Sequence, residues 1–176
     1  MTANPIPVIV RPVRPEEFHE LGELIVAAYH SLPDARPDQQ QRYDERLRDV
    51  AGRARVSCVL VAVGPEGEVL GGVTYVRGPD DPFSEELRDG EAGIRMLAVD
   101  PAYHGRGVGR ALTIACIERA RSARRERIVL HTGNWMAAAK HLYESLGFER
   151  DPSIDFSPVP GIDVIAYALN LTAYKS

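Results

Sequence analysis

Apolar positions change their spacing along the chain in a regular order, and that order predicts the elements. Ile6 to Val13 is a short β-branched run, and Pro15 then sits where a first helical residue would, with Glu16 and Glu17 in the first turn. Phe18, Leu21, Leu24, Ile25 and Ala28 recur at steps of three and four, which predicts a helix with one core-facing stripe as far as about Tyr29. SLPDARP breaks that pattern, and a polar second helix is expected over about Asp38 to Arg53, with Tyr43, Leu47, Val50 and Ala51 as its thin apolar face. Val56 to Val63 is continuously apolar, and Gly64-Pro65-Glu66-Gly67 turns it into Val69 to Val76, as in a hairpin of two central strands.

The loop after the hairpin is acidic. Asp80, Asp81, Glu85, Glu86, Asp89 and Glu91 crowd it, with only Arg88 of opposite sign. Such a run reads first as a solvated surface loop and second as an electrostatic lure for an amine. An apolar strand ending Leu97-Ala98-Val99-Asp100-Pro101 then breaks into a glycine-rich turn that opens onto a helix reaching about Ala120. Arg127 to Thr132 is a strand, and Asn134 to Leu146 is a helix carrying Ala139, Leu142, Tyr143 and Leu146 on one face, ended by Gly147. Phe148 to Arg150 begins a further strand, DPSIDFSPVPG is a loop, and Ile162 to Leu171 closes the sheet. The order predicts an α/β fold with a mixed sheet, antiparallel in its outer parts, with one parallel crossover near the middle.

Composition narrows the function more than the fold. The 176 residues are ordinary in apolar, charged and glycine content and fit a single domain over 1–176. A net charge of −4 argues against general nucleic-acid binding and suits a cationic substrate. Cys58 and Cys116 lie in apolar runs without the short Cys/His spacing of a zinc site, so buried reduced thiols and no metal are expected. No apolar run approaches the ~20 residues of a membrane span. MTANPIPVIVRP lacks the basic start and long apolar segment of a secretory signal, which points to the cytoplasm.

The glycine turn is the strongest chemical signal. Gly105, Gly107 and Gly109 let the backbone turn tightly and approach a ligand with no Cβ in the way. The helix that follows begins with N–H groups lacking intrahelical partners and a partial positive charge, which favours a phosphate or pyrophosphate. Two common phosphate loops are excluded. A dinucleotide fingerprint started at Gly105 ends on Arg110, and one started at Gly107 ends on Leu112; a Walker loop needs a Gly-Lys pair, which the chain lacks.

RMLAVDPAYHGRGVGRAL, followed by LHTGNWMAAAKHLYESLGFE, closely resembles the GNAT superfamily of acyl-CoA-dependent N-acyltransferases. The resemblance covers the core from Val8 to Leu171. It implies a mixed, mostly antiparallel sheet of about six to seven strands flanked by about four helices, with strands four and five splayed apart. It also implies acetyl-CoA as co-substrate, its pyrophosphate held by the backbone of His104, Gly105, Arg106, Gly107, Val108, Gly109 and Arg110. His104 stands where the family pattern has Gln or Arg. Arg106 and Arg110 would add charge for phosphates, or be solvated arginines at a helix start. Pantetheine would pair with the backbone of Leu97, Ala98 and Val99, and one N–H near Leu97 or Ala98 would face the carbonyl oxygen. Asn134 matches a coenzyme-contacting position, and an N-cap explains it equally well.

Acetyl transfer to an amine needs a base for the ammonium proton, a donor for the oxyanion and an acid for the thiolate. The resemblance makes Tyr143 the acid, since a phenol titrating near pH ~10 is protonated and can donate. By pattern alone Tyr143 fills an apolar helix face. Many relatives carry Glu as base where this chain has Gly93. Glu91, on the same face of a regular strand, and His131, on the next strand, are the candidate bases. The first two helices and the Ser157 to Gly161 loop would shape the acceptor pocket. The acceptor is expected to be a small-molecule amine, with a protein N-terminus or lysine as the other possibility, and the resemblance leaves room for a homodimer. A non-catalytic acyl-CoA-binding domain is the main competing class, supported by Gly93; a module binding another nucleotide through the same loop is the third.

Overall fold

A computed structural model describes residues 3–31, 37–159 and 161–172. Within them the elements are β1 (Ile9–Pro12), α1 (Phe18–His30), α2 (Pro37–Arg48), α3 (Val50–Val56), β2 (Cys58–Val63), β3 (Val69–Val76), β4 (Glu91–Val99), α4 (Val108–Ser122), β5 (Arg127–Gly133), α5 (Ala137–Ser145), β6 (Glu149–Arg150), β7 (Phe156–Val159) and β8 (Ile162–Asn170). The hydrogen-bonded strand order is β1-β2-β3-β4-β5-β8-β6, with β7 added onto β8. The mixed sheet agrees with the sequence. Among the described residues it has eight strands and five α-helices rather than six to seven and four, because one helix is split and the proline-rich loop contains β7.

The chain forms two compact units, Met1–Tyr75 with Met96–Cys116, and Val76–Arg95 with Ile117–Ser176. In the first, β1 and β3 flank β2, both antiparallel to it, with Ile9 opposite Val63 and Cys58 opposite Tyr75. α1 lays Leu21, Ile25 and Val26 into a core shared with Leu47, Val50, Val59 and Val61, all at most 4% exposed. The predicted second helix is broken at Asp49. Its apolar spacing runs through the break, but two side-chain contacts act locally against continuation. The Asp49 carboxylate accepts from Gly52 N at 2.9 Å and caps α3. The buried Arg53 guanidinium donates to the Arg46 and Leu47 carbonyls, closing the end of α2. α3 therefore extends to Val56, and β2 starts at Cys58 rather than Val56.

In the second unit, β4 and β5 are parallel from Glu91↔Arg127 to Ile94↔Leu130. That register ends there, while β4 runs on to Val99 and β5 to Gly133, as in the expected splay. Met96, which belongs to the first unit, has φ 52°, in the left-handed region that non-glycine residues rarely adopt. β8 pairs antiparallel with β5 over seven residues and carries β6 and β7 on its other side. Ile128, Leu130, Phe148 and Tyr167 are at most 3% exposed and fill the core. Gly147, at φ +94°, ends α5 as predicted.

Candidate active site

The first unit holds the glycine turn. Asp100 accepts from Ala102 N at 2.9 Å and starts a 3-10 turn over Pro101–Tyr103, which brings the chain to Gly105 and Gly107 at φ +73° and +89°. A Cβ at either glycine would meet nothing within 4 Å, so open space faces this backbone. The first helical hydrogen bond of α4 runs from Ala111 N to Gly107 O at 3.0 Å. Val108 and Gly109 therefore lead the helix, where N–H groups lack intrahelical acceptors. Left-handed glycines, open space and a fifteen-residue helix fit a pyrophosphate, as acetyl-CoA requires.

Side-chain and backbone contacts around the turn hold it in shape. His104 Nε2 lies 3.1 Å from the Val99 carbonyl, Thr113 Oγ1 donates to Gly109 O at 2.8 Å, and Ile6 N donates to Arg106 O at 3.2 Å. The Arg106 guanidinium sits 5.7 Å from the Tyr103 ring centre, so its charge is carried on an aromatic face beside the turn. Arg110 is exposed. Leu97 and Val99 are half-buried and Ala98 is buried. Ala98 lies so close to β3 that a Cβ at Gly71 would be 2.5 Å from its carbonyl oxygen.

The second unit contains a cavity of about 240 Å³, whose walls include Glu85, Glu86, Glu91, Arg95 and His131. Glu91 and His131, the two candidate bases, therefore share one cavity. Their states differ. Glu91 is 7% exposed; its Oε2 accepts from Arg88 N at 3.0 Å and its Oε1 lies 3.5 Å from Arg127 Nε. His131 Nε2 is 2.8 Å from the Ile154 carbonyl. A carbonyl only accepts, so Nε2 carries the proton and neutral His131 keeps its lone pair on Nδ1. That Nδ1 is buried with no hydrogen-bond partner among the described residues. Burial draws the imidazole below its ordinary range; the Ile154 bond opposes this and the Arg95 charge adds to it. Phe156 packs edge-on against the ring at 4.9 Å.

The sequence does not single out Arg95, and it offers the acidic loop a site role only as its second reading, an electrostatic lure for an amine. The loop is only partly the solvated run that its charge suggested. Asp81 is 6% exposed, accepts from Phe83 N at 3.0 Å and pairs with Arg77 at 3.4 Å, so it is structural. Glu85 and Glu86 have φ 36° and 43° and line the cavity. Two successive non-glycine residues in that region store strain of about 1–3 kcal/mol each. Arg95 Nη1 donates to Ile94 O at 3.0 Å and Nη2 to Ser84 O at 3.1 Å, while Nε lies 3.6 Å from Glu85 Oε2. Burial pulls the Arg95 pKa down, with Glu85 and Asp81 opposing, yet a guanidinium stays cationic in a protein. The available signal was Gly93-Ile94-Arg95, a glycine two residues from an arginine on one strand face.

Tyr143 is 5% exposed on α5, with the Phe148 ring at 5.8 Å and the Tyr167 ring at 6.4 Å. Asn134 does not cap α5, which begins at Ala137 with Met136 at its N-cap. Its Oδ1 lies 3.4 Å from Lys140 Nζ instead. Neither residue belongs to the cavity wall. The Ser157 to Gly161 loop, expected near the acceptor, is described except at 160, and 32–36 between the first two helices also lies outside the described residues. Among the described residues no cluster of His, Cys, Asp and Glu could hold a metal, and no helix is long and apolar enough to cross a membrane.

A strand, a left-handed glycine turn and a helix start in sequence have the form that fits a coenzyme-like pyrophosphate. The profile of the Acetyltransferase (GNAT) family matches residues 18–148, and the chain belongs to that family. It is 39% identical over 114 residues to a mycothiol acetyltransferase of Salinispora tropica, covering 64% of this chain and 34% of that protein. It is 36% identical over 106 residues to an N-acetylaspartate synthetase of Xenopus tropicalis, covering 60% and 36%. The chain thus spans about a third of the length of the curated relatives it matches. Its fold is similar to an acetyltransferase of Salmonella typhimurium solved with acetyl-CoA, at TM-score 0.69 and 21% identity over 96% of both chains. A ribosomal-protein-alanine N-acetyltransferase of Brucella melitensis also has TM-score 0.69, at 23% identity over 93% of this chain and 99% of that one.

Proposed function

We propose that the chain transfers an acetyl group from acetyl-CoA to the primary amine of a small molecule, by direct attack within a ternary complex. The observation that carries this is the turn at Gly105 and Gly107, left-handed, open on its ligand side and continued by α4. The N–H groups there hold the pyrophosphate, with Arg106 and Arg110 adding charge. The backbone of Leu97 to Val99 aligns the pantetheine arm, and an N–H at Leu97 or Ala98 receives the oxyanion.

In the reaction the amine nitrogen bonds to the acetyl carbon, the carbon–sulfur bond breaks, and the electron pair leaves with sulfur. His131 Nδ1, with its lone pair unengaged, takes the ammonium proton. Glu91 is the weaker candidate because Arg88 N and Arg127 already engage it. Tyr143 donates its phenolic proton to the thiolate, and the second proton shed by the acylated nitrogen restores the phenol. Asn134 contacts the coenzyme. The acceptor is a small molecule, and the cavity of about 240 Å³, below the range of about 300–1,000 Å³ usual for drug-sized ligands, favours a compact one.

A thiol-release assay with acetyl-CoA over a panel of small amines tests the assignment. Release that depends on both amine and chain is expected. Tight coenzyme A binding with no release from any amine would instead support a non-catalytic acyl-CoA-binding domain.

A further inference from the structure

We propose that the cavity beside Arg95 takes a free α-amino acid with an apolar side chain, its carboxylate on the Arg95 guanidinium and its ammonium group toward Glu85 and Glu86. This rests on the acyltransferase reading and names its acceptor class.

The cavity wall divides by chemistry. Leu87, Val129, Ile154 and Phe156 are apolar, Arg95 is cationic, Glu85, Glu86 and Glu91 are acidic, and His131 is a neutral imidazole. The Arg95 side chain is 10% exposed, so it is desolvated nearly completely, and its charge needs an anionic partner. Two neutral carbonyls hold the ends of its fork in place at 3.0 and 3.1 Å. Its Nε has no hydrogen-bond acceptor among the described residues, and the Glu85 carboxylate stands beyond bonding range at 3.6 Å. Glu85 is itself 44% exposed, so it neutralises the guanidinium weakly. A ligand carboxylate that bonded the guanidinium would supply the missing acceptor, as a charge-assisted bond in a dry site.

Glu85 would then be released toward the ammonium group of the same ligand, with Glu86 beside it. A plain amine would leave Arg95 without its acceptor. A peptide N-terminus would do the same, because its first carboxyl is an amide. The cavity volume of about 240 Å³ suits one amino acid and not a saccharide, and Leu87, Val129, Ile154 and Phe156 offer an apolar side chain its contacts.

The test is thiol release by the full chain with L-leucine, L-methionine and L-phenylalanine, each compared with its amide and with the amine that lacks the carboxylate. The free acids are expected to exceed both analogues in kcat/KM by about tenfold or more. Arg95→Gln should erase that difference, and Arg95→Lys should restore part of it. Equal use of acid and amine throughout the panel overturns the proposal, as does a preference for the acid that survives in Arg95→Gln. If no compound releases thiol, the transfer reading fails by itself. Calorimetry of the same amino acids against the chain with coenzyme A then decides: binding lost in Arg95→Gln supports the site, and no binding refutes it.

Discussion

The guanidinium of Arg95 occupies the space that a side chain at position 93 would need. A Cβ on Gly93 would lie 3.1 Å from Arg95 Nη1, 3.3 Å from Leu87 Cδ1 and 3.4 Å from Val76 Cβ. Glu91, Gly93 and Arg95 follow at steps of two along β4 and share one face. The glycine that deprives the chain of its family's usual base thus makes room for a buried cation. Gly93→Ala should leave stability within about 1 kcal/mol of the parent, because the lower entropy of the unfolded chain offsets the new contact. It should nonetheless reduce kcat/KM for the acceptor about tenfold by moving the guanidinium. Urea unfolding and thiol release together check this, and unchanged kcat/KM would separate Arg95 from the acceptor.

Gly107→Ala tests the pyrophosphate cradle. A Cβ there meets no protein atom, so the cost to the free protein is that of holding alanine at φ +89°, about 1 kcal/mol. With coenzyme A present the methyl would stand in the ligand's space, and Kd should rise tenfold or more. Gly67→Ala is the control, since Gly67 has φ +82° and equally open surroundings in the hairpin turn. Both variants should lose similar stability, and only Gly107→Ala should lose coenzyme A affinity by calorimetry. Equal affinity in the two would move the cradle elsewhere.

What was legible in the sequence divides along physical lines. The glycine turn, the Gly64 to Gly67 hairpin and the Gly147 stop depend on residue type at single positions, and each stands where its glycine dictates. The break at Asp49 was hidden because the apolar stripe of Leu47 and Val50 continues through it. Among the described residues the Asp49 cap and the Arg53 bonds, both side-chain events, stop the helix. β7 was hidden because its pairing is made by β8 and interrupted by an irregular register between Phe156 and Val159. Arg95 was hidden for another reason. Its role depends on the loop at Ser84 returning to β4 and on the missing side chain of Gly93, neither of which leaves a periodic trace.

Tyr143→Phe should lower turnover by about a hundredfold or more, the scale of a lost general acid, with little change in coenzyme A affinity. Phenylalanine keeps the ring that packs against Phe148 and Tyr167, so the fold should persist in the variant, as circular dichroism would show. Turnover equal to the parent's would leave Tyr143 a packing residue only.

The pH profile separates the two candidate bases. Burial holds the His131 pKa below its ordinary 6.5 in the folded chain, so the imidazole is neutral and able to accept a proton at neutral pH. The unfolded chain binds that proton more readily. The contribution of neutral, buried His131 to stability is therefore complete above about pH 6.5 and declines as pH falls toward the folded value. Activity has the same sign. Protonation of His131 removes the base, so kcat/KM should rise with pH along a limb whose midpoint lies below 6.5. His131→Gln should abolish that limb and lower kcat/KM by about a hundredfold, on the scale of lost general-base catalysis. Glu91→Gln should keep the limb, because the Glu91 carboxylate is engaged by Arg88 N and Arg127. A limb that vanishes in Glu91→Gln and persists in His131→Gln would transfer the role to the carboxylate.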